Sequence, residues 1–154
     1  MQRPATRIEV SVPSQELTLF IDDDPIATFP ISTSKFGLGS EEDSNRTPLG
    51  AFQIKEKIGG EQPPRTIFKS RIPEGRWEPG CVVEDDLVLS RILWLDGLEE
   101  NNANTYGRYI YIHGTNQEDL IGTPASHGCV RMRNQDMLEL YDLVDPETAV
   151  FIDA

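Results

Sequence analysis

RYIYIHGTNQEDLIGTPASHGCVRM, residues 108–132, is the stretch from which both the fold and the chemistry are read. Its opening, Arg108-Tyr109-Ile110-Tyr111-Ile112-His113, is rich in aromatic and β-branched residues and alternates along its length, which predicts a strand. Period two places Tyr109, Tyr111 and His113 on one face, with Ile110 and Ile112 on the other. Gly114 then lets the chain turn away and leaves its carbonyl free to hold one tautomer of the His113 imidazole. The stretch closes on Ser126-His127-Gly128-Cys129-Val130-Arg131. The protein has two histidines and two cysteines, and both histidines and one cysteine fall in this single stretch. Cysteine attacks a carbonyl carbon as the thiolate, but a free thiol of pKa about 8.5 is mostly protonated at neutral pH. A neighbouring imidazole takes that proton and later returns it to a leaving amine. A Cys/His acyl-transfer site follows, with Cys129 as nucleophile and His113, carried at the end of a rigid strand, as general base and acid.

His113-Gly114-Thr115 followed by Gly122-Thr123-Pro124-Ala125-Ser126-His127-Gly128-Cys129-Val130-Arg131-Met132 closely resembles the signature of L,D-transpeptidase catalytic domains, the YkuD fold. That signature is a His-Gly pair, a spacer, then Ser/Thr-His-Gly-Cys, a hydrophobic residue and Arg or Asn. Upstream, Thr47-Pro48-Leu49-Gly50-Ala51-Phe52 is similar to the family's Thr-Pro-x-Gly-x-Phe segment, and residues 8–34 fit the family's opening strands. The resemblance implies a β-sandwich with Cys129 and His113 in a cleft at one end. It implies cleavage of the L,D peptide bond of peptidoglycan tetrapeptide stems, between the third-position diamino acid and the terminal D-alanine, through a Cys129 thioester. In that scheme the Gly114 carbonyl orients His113. Backbone N–H groups of Gly128 and Cys129 form the oxyanion hole, aided by His127. Ser126 shapes the turn, Tyr111 supports the site, and Arg131 either forks to a stem-peptide carboxylate or braces the loop. Carbapenems, as mimics of the donor, are expected to acylate Cys129. No cofactor is implied.

The same residues admit other readings. His113, His127 and Cys129 supply three zinc ligands, but His-x-Cys is tighter than the usual Cys-x-x-Cys spacing and no fourth ligand is suggested; no metal is expected. A papain-like protease needs other residues around its cysteine and a histidine far downstream. A non-catalytic wall-binding module needs neither Cys129 nor His113, and both are present. Cys81, in Pro79-Gly80-Cys81-Val82-Val83, has no histidine nearby and reads as an unreactive, buried or half-buried thiol.

The chain has 154 residues and a formal net charge of −12. One domain of this length buries a core without disulfides. The acidic balance argues against nucleic acid, whose binding relies on Lys and Arg at phosphates, and no apolar run is long enough for a membrane span. Residues 1–7 lead straight towards a strand with neither an apolar h-region nor a cleavage site. The expected location is therefore the cytoplasm, and the chain's resemblance to short, signal-less members of the family implies L,D-carboxypeptidation of a soluble muropeptide during wall recycling. The alternative is a periplasmic transpeptidase that forms 3-3 crosslinks or attaches amino acids or proteins to the wall.

Along the rest of the chain, residues 7–12, 17–21 and 26–31 alternate as strands, with Asp22-Asp23-Asp24-Pro25 as a hairpin turn. The aspartates lack the spacing of a calcium loop, and Gly37 and Gly39 lack the Gly-Lys-Ser/Thr of a phosphate loop. Residues 51–58 read as a strand. Residues 59–80, with four prolines, read as a long irregular excursion, in the resembled family a flap over the cleft. Residues 87–95 form an apolar run in which Trp94 is a core residue before it is a substrate platform. Asn134 is a candidate N-cap for a short helix with Met137, Leu138, Leu140, Tyr141 and Val144 on one side, ended by Asp145-Pro146, and residues 148–152 close as a strand. The expectation is a mostly-β domain with one short helix after Cys129.

Overall fold

The structure is a computed structural model that describes residues 3–154. It is mostly β. The strands are β1 (Arg7–Ser11), β2 (Glu16–Ile21), β3 (Asp24–Ser32), β4 (Gly50–Ile58), β5 (Thr66–Lys69), β6 (Ile72–Arg76), β7 (Val88–Gly97), β8 (Tyr111–Gly114), β9 (Val130–Met132) and β10 (Ala149–Asp153), with one α-helix, α1 (Asn134–Leu143), between β9 and β10. The strand order is β4-β10-β1-β2-β3-β9-β8-β7-β5-β6, and β4 also pairs with β7. That extra pairing closes eight strands into a hydrogen-bonded ring, and the β5–β6 hairpin projects from it as a spur. The two facing layers expected of a sandwich are thus continuous around their edges, which leaves few open strand edges for another chain to join.

Alternation does most of the building. β1 and β2 each bury every second residue, so Ile8, Val10, Leu17 and Leu19 face inward with Ile112, Val130, Val150 and Ile152. Asp22 and Asp23 both have positive φ (53° and 67°), the two-residue geometry that matches strand twist, so β3 begins at Asp24. Residues 59–80, expected to be irregular, contain the β5–β6 hairpin. Ser70 and Arg71, again both at positive φ (48° and 66°), form its turn, and neither residue type announces such a turn. Every residue of β6 is exposed, so no hydrophobic alternation was available to reveal it.

Two local expectations change. Asn134 is the first helical residue, not the cap: Arg133 holds the cap position, and Glu118 Oε2 accepts from the Asn134 N–H at 2.7 Å. The buried Asn134 side chain instead ties three segments together, accepting from Ser90 Oγ (2.7 Å) and donating to the Thr115 carbonyl (2.8 Å) and to Glu118 (3.2 Å). Gly114 lies inside β8, so its role is close approach, not a turn. A Cβ there would stand 2.8 Å from the Leu89 carbonyl and closer still to Asn134 Oδ1.

Candidate active site

β8 and β9 are adjacent parallel strands in the register His113↔Arg131 and Ile112↔Val130. Paired residues share a face. Tyr111, His113, Cys129 and Arg131 therefore line one side, while Ile112, Val130 and Met132 enter the core. This brings together four of the residues singled out from sequence. Tyr109 is not on that strand. It takes left-handed backbone (φ 59°) after a single 3-10 turn, and its ring is exposed.

That kink has a chemical consequence. It aims the Tyr109 carbonyl at Cys129 Sγ (3.5 Å) from one side, while the Tyr111 N–H donates to the same sulfur at 3.3 Å. The thiol donates and accepts, so it is satisfied as a neutral group. Burial pushes it up to about 12. His113 is buried, and burial holds its imidazole below the ordinary value of 6.5. His113 Nδ1 lies 2.5 Å from the Gly114 carbonyl. A carbonyl only accepts, so Nδ1 carries the proton and Nε2 carries the lone pair a general base needs. The resting pair is a neutral thiol and a neutral imidazole on one face, and no hydrogen bond joins them in this state. Two outcomes follow. Iodoacetamide is expected to modify exposed Cys81 before Cys129, whose alkylation rises about tenfold per pH unit until near its pKa. The acid limb of acylation is expected below pH 6.5, because the depressed imidazole stays unprotonated, and so competent as a base, down to lower pH than a free one. Peptide mapping of alkylation across pH checks the first, and stopped-flow acylation across pH checks the second.

The loop before Cys129 is held from within by Ser126 and from across the fold by Thr47. Ser126 Oγ donates to the Cys129 carbonyl (2.7 Å) and accepts from the Gly128 N–H (3.3 Å), so Ser126 shapes the turn. Gly128, at φ +124°, takes backbone that favours glycine. Its N–H, assigned from sequence to the oxyanion hole, is occupied by Ser126 in this state through a long bond. Buried Thr47 explains the Thr-Pro segment: its hydroxyl donates to the Gly128 carbonyl (3.0 Å) and accepts from the Ser34 N–H (2.9 Å). Thr47→Ala leaves both partners unpaired and is expected to destabilise the fold by about 1–3 kcal/mol. It should also slow acylation, with Thr47→Ser restoring both. Urea unfolding and acylation rates on the two variants check this.

Arg131 is fully buried. Its Nη1 donates to Asp86 Oδ1 (2.9 Å) and Gln117 Oε1 (2.7 Å), and its Nε and Nη2 have no partner. Asp86 Oδ2 also lies 3.5 Å from Nδ1 of half-exposed His127. Sequence reasoning missed Asp86, which sits in an acidic loop with no motif around it. Cys81 lies on the same exposed loop, away from any imidazole and not buried as expected. Among the described residues no cluster of three or more His, Cys, Asp or Glu is placed to hold a metal. Trp94 is buried, stacks on Tyr106 (4.1 Å between ring centres) and meets Tyr111 edge-on (5.5 Å), making an aromatic wall beside Cys129.

The profile of the L,D-transpeptidase catalytic domain, YkuD, matches residues 5–152. The chain belongs to the L,D-transpeptidase catalytic domain family. A Bacillus subtilis protein carrying the name L,D-transpeptidase YkuD is 30% identical over 145 residues, covering 94% of this chain and 64% of that protein. The chain thus spans less than two thirds of that relative's length. Among solved structures, an L,D-transpeptidase from Mycobacterium smegmatis superposes with a TM-score of 0.64 at 17% identity, over 97% of this chain and 59% of that one. L,D-transpeptidase 3 from Mycobacterium tuberculosis, in complex with a faropenem-derived adduct, superposes at 0.62 with 17% identity, over 98% and 62%. At these identities the structural likeness speaks for the shared L,D-transpeptidase fold. No helix of this catalytic domain is long and apolar enough to cross a membrane among the described residues.

Proposed function

We propose that this domain is a cysteine acyl-transfer enzyme acting on peptidoglycan tetrapeptide stems. Cys129 attacks the carbonyl of the third-position diamino acid, D-alanine leaves, and the acyl group remains on sulfur as a thioester. The single observation that carries this reading is the shared face of Cys129 and His113, with the His113 tautomer fixed by Gly114 so that Nε2 is the base. Because the resting thiol is neutral, His113 removes its proton as the carbon–sulfur bond forms and returns that proton to the leaving amine. The oxyanion falls to the Cys129 N–H, and to the Gly128 N–H once the substrate oxygen replaces Ser126 Oγ. Arg131, neutralised by Asp86, serves as a brace under the loop. β-Lactams that open on thiols, carbapenems and penems among them, are expected to leave one adduct, mapping to Cys129.

The finer reading is an L,D-carboxypeptidase that releases D-alanine from soluble muropeptides, with water as acceptor. Its proposed site of action is the cytoplasm, where both free cysteines stay reduced. One feature favours an amine acceptor and hence 3-3 crosslinking. A cavity of about 200 Å³ beside His127 and Tyr109 is lined by Glu42 and Asp43 with Arg108, and the excess of acid attracts a cationic amine. Incubation with disaccharide-tetrapeptide and an excess of D-amino acid or stem-peptide amine decides between them. Tripeptide as the main product supports hydrolysis, and crosslinked or exchanged products overturn it.

A further inference from the structure

Two guanidinium groups, Arg131 and Arg108, act on the nucleophile, and a third, Arg71, reaches the tyrosines beside it; their partners set them apart. Arg131 is buried on Asp86. Arg108, whose charge acts on Cys129, is tied to the carbonyls of Arg46 (2.8 Å) and Gly39 (3.4 Å) and to Ser44 Oγ (3.5 Å). Arg71, at the turn of the β5–β6 hairpin, differs from both. Its Nη1 donates to Tyr111 Oη at 2.9 Å, and its guanidinium carbon lies over the rings of Trp94 (4.8 Å) and Tyr109 (5.0 Å). Among the described residues it pairs with no carboxylate, in a chain whose acids outnumber Lys and Arg by 26 to 14. Its remaining N–H groups have no protein acceptor and are not buried.

We propose that Arg71 is a specificity-determining residue that binds a carboxylate of the acyl donor. The proposal rests on the stem-peptide reading above and adds to it the residue that reads the donor's charge. The geometry favours it in three ways. First, Tyr111 and Tyr109, which hold the guanidinium, are the residues whose N–H and carbonyl hold Cys129 Sγ, so Arg71 stands one tyrosine side chain from the reacting sulfur. Second, the aromatic faces keep the cation fixed without neutralising it, and a planar fork held in place loses little entropy on meeting a carboxylate. Third, Arg71 also lines an open cavity of about 350 Å³ in which Arg71 and Lys57 face one carboxylate, Glu61, so its guanidinium is reachable from solvent. The donor offers two such groups: the carboxylate of the terminal D-alanine, and the side-chain carboxylate where the diamino acid carries one.

The test measures kcat/KM for three tetrapeptide donors: the free acid, its C-terminal amide, and its diamino-acid side-chain amide. Wild-type enzyme is expected to lose about 10- to 100-fold, mainly through KM, on whichever amide removes the Arg71 partner. Arg71→Ala should lose a similar factor on the free acid and nothing further on that amide, and Arg71→Lys should recover part of it. An equal loss by Arg71→Ala on all three donors marks Arg71 as only a latch for the hairpin and overturns the proposal. Should Arg71→Ala not fold, the wild-type comparison stands alone: turnover with no discrimination against either amide overturns this inference while leaving the enzyme reading intact. No turnover of any donor removes both.

Discussion

Cys129→Ala should lower release of D-alanine from a tetrapeptide donor by at least roughly 10³-fold, to background, while Cys81→Ala retains most of the activity. The two thiols differ in everything the chemistry needs. Cys129 shares a face with His113 and is held between the Tyr109 carbonyl and the Tyr111 N–H. Cys81 is exposed on a loop, its own N–H bonded to the Glu78 carbonyl, with no imidazole beside it. Alanine at 129 removes the one thiol that shares a face with His113, so no base-assisted covalent route remains. Circular dichroism and unfolding on both variants confirm that folding is retained. Equal loss from Cys81→Ala in a folded protein would sink the assignment.

The second large effect belongs to His113. Burial keeps the Cys129 thiol protonated at neutral pH, so there is no stored thiolate to attack without help. His113→Ala is expected to cost about 10²- to 10⁴-fold in acylation rate, the range for a positioned general base. The loss should shrink as pH rises towards 12, because solvent then ionises the thiol directly. That convergence separates a base from a residue that merely fills space. His127→Ala should cost less: His127 is half exposed and its Nδ1 faces Asp86, not the sulfur. A pH-independent loss in His113→Ala, or a larger loss in His127→Ala, contradicts the assigned roles.

Much of this was legible in the sequence because local rules and the motif agree. Alternation in residues 7–12 and 17–21 marks inward faces directly, and the positive-φ hairpin at Asp22-Asp23 uses residues that tolerate that backbone. The His113 strand and the Ser126–Arg131 segment carry the nucleophile and its base in one continuous reading. What stayed hidden depends on contacts far apart in sequence. The β5–β6 hairpin buries nothing on β6, so it leaves no hydrophobic period. The left-handed backbone at Tyr109 interrupts the start of a run whose composition says strand, and the contact its carbonyl makes with the Cys129 thiol is a tertiary one that leaves no trace in local propensity. Asp86 and Arg71 have ordinary neighbours in sequence and acquire meaning only when the fold brings them to Arg131 and Tyr111 on the Cys129 face. Thr47 was visible as part of a motif, yet its reason, a hydroxyl bridging Ser34 and Gly128, is a tertiary fact.

The central claim is that Cys129 forms a thioester with a stem peptide cut at its L,D bond. The most direct measurement is rapid-quench intact-mass analysis of the enzyme mixed with a defined tetrapeptide bearing a D-alanine terminus, followed by peptide mapping. The account predicts an acyl adduct equal in mass to the donor less D-alanine, confined to the peptide containing Cys129, appearing together with free D-alanine and absent in Cys129→Ala. Release of D-alanine with no adduct on Cys129 under conditions that trap thioesters, or an adduct that persists in Cys129→Ala, would contradict it.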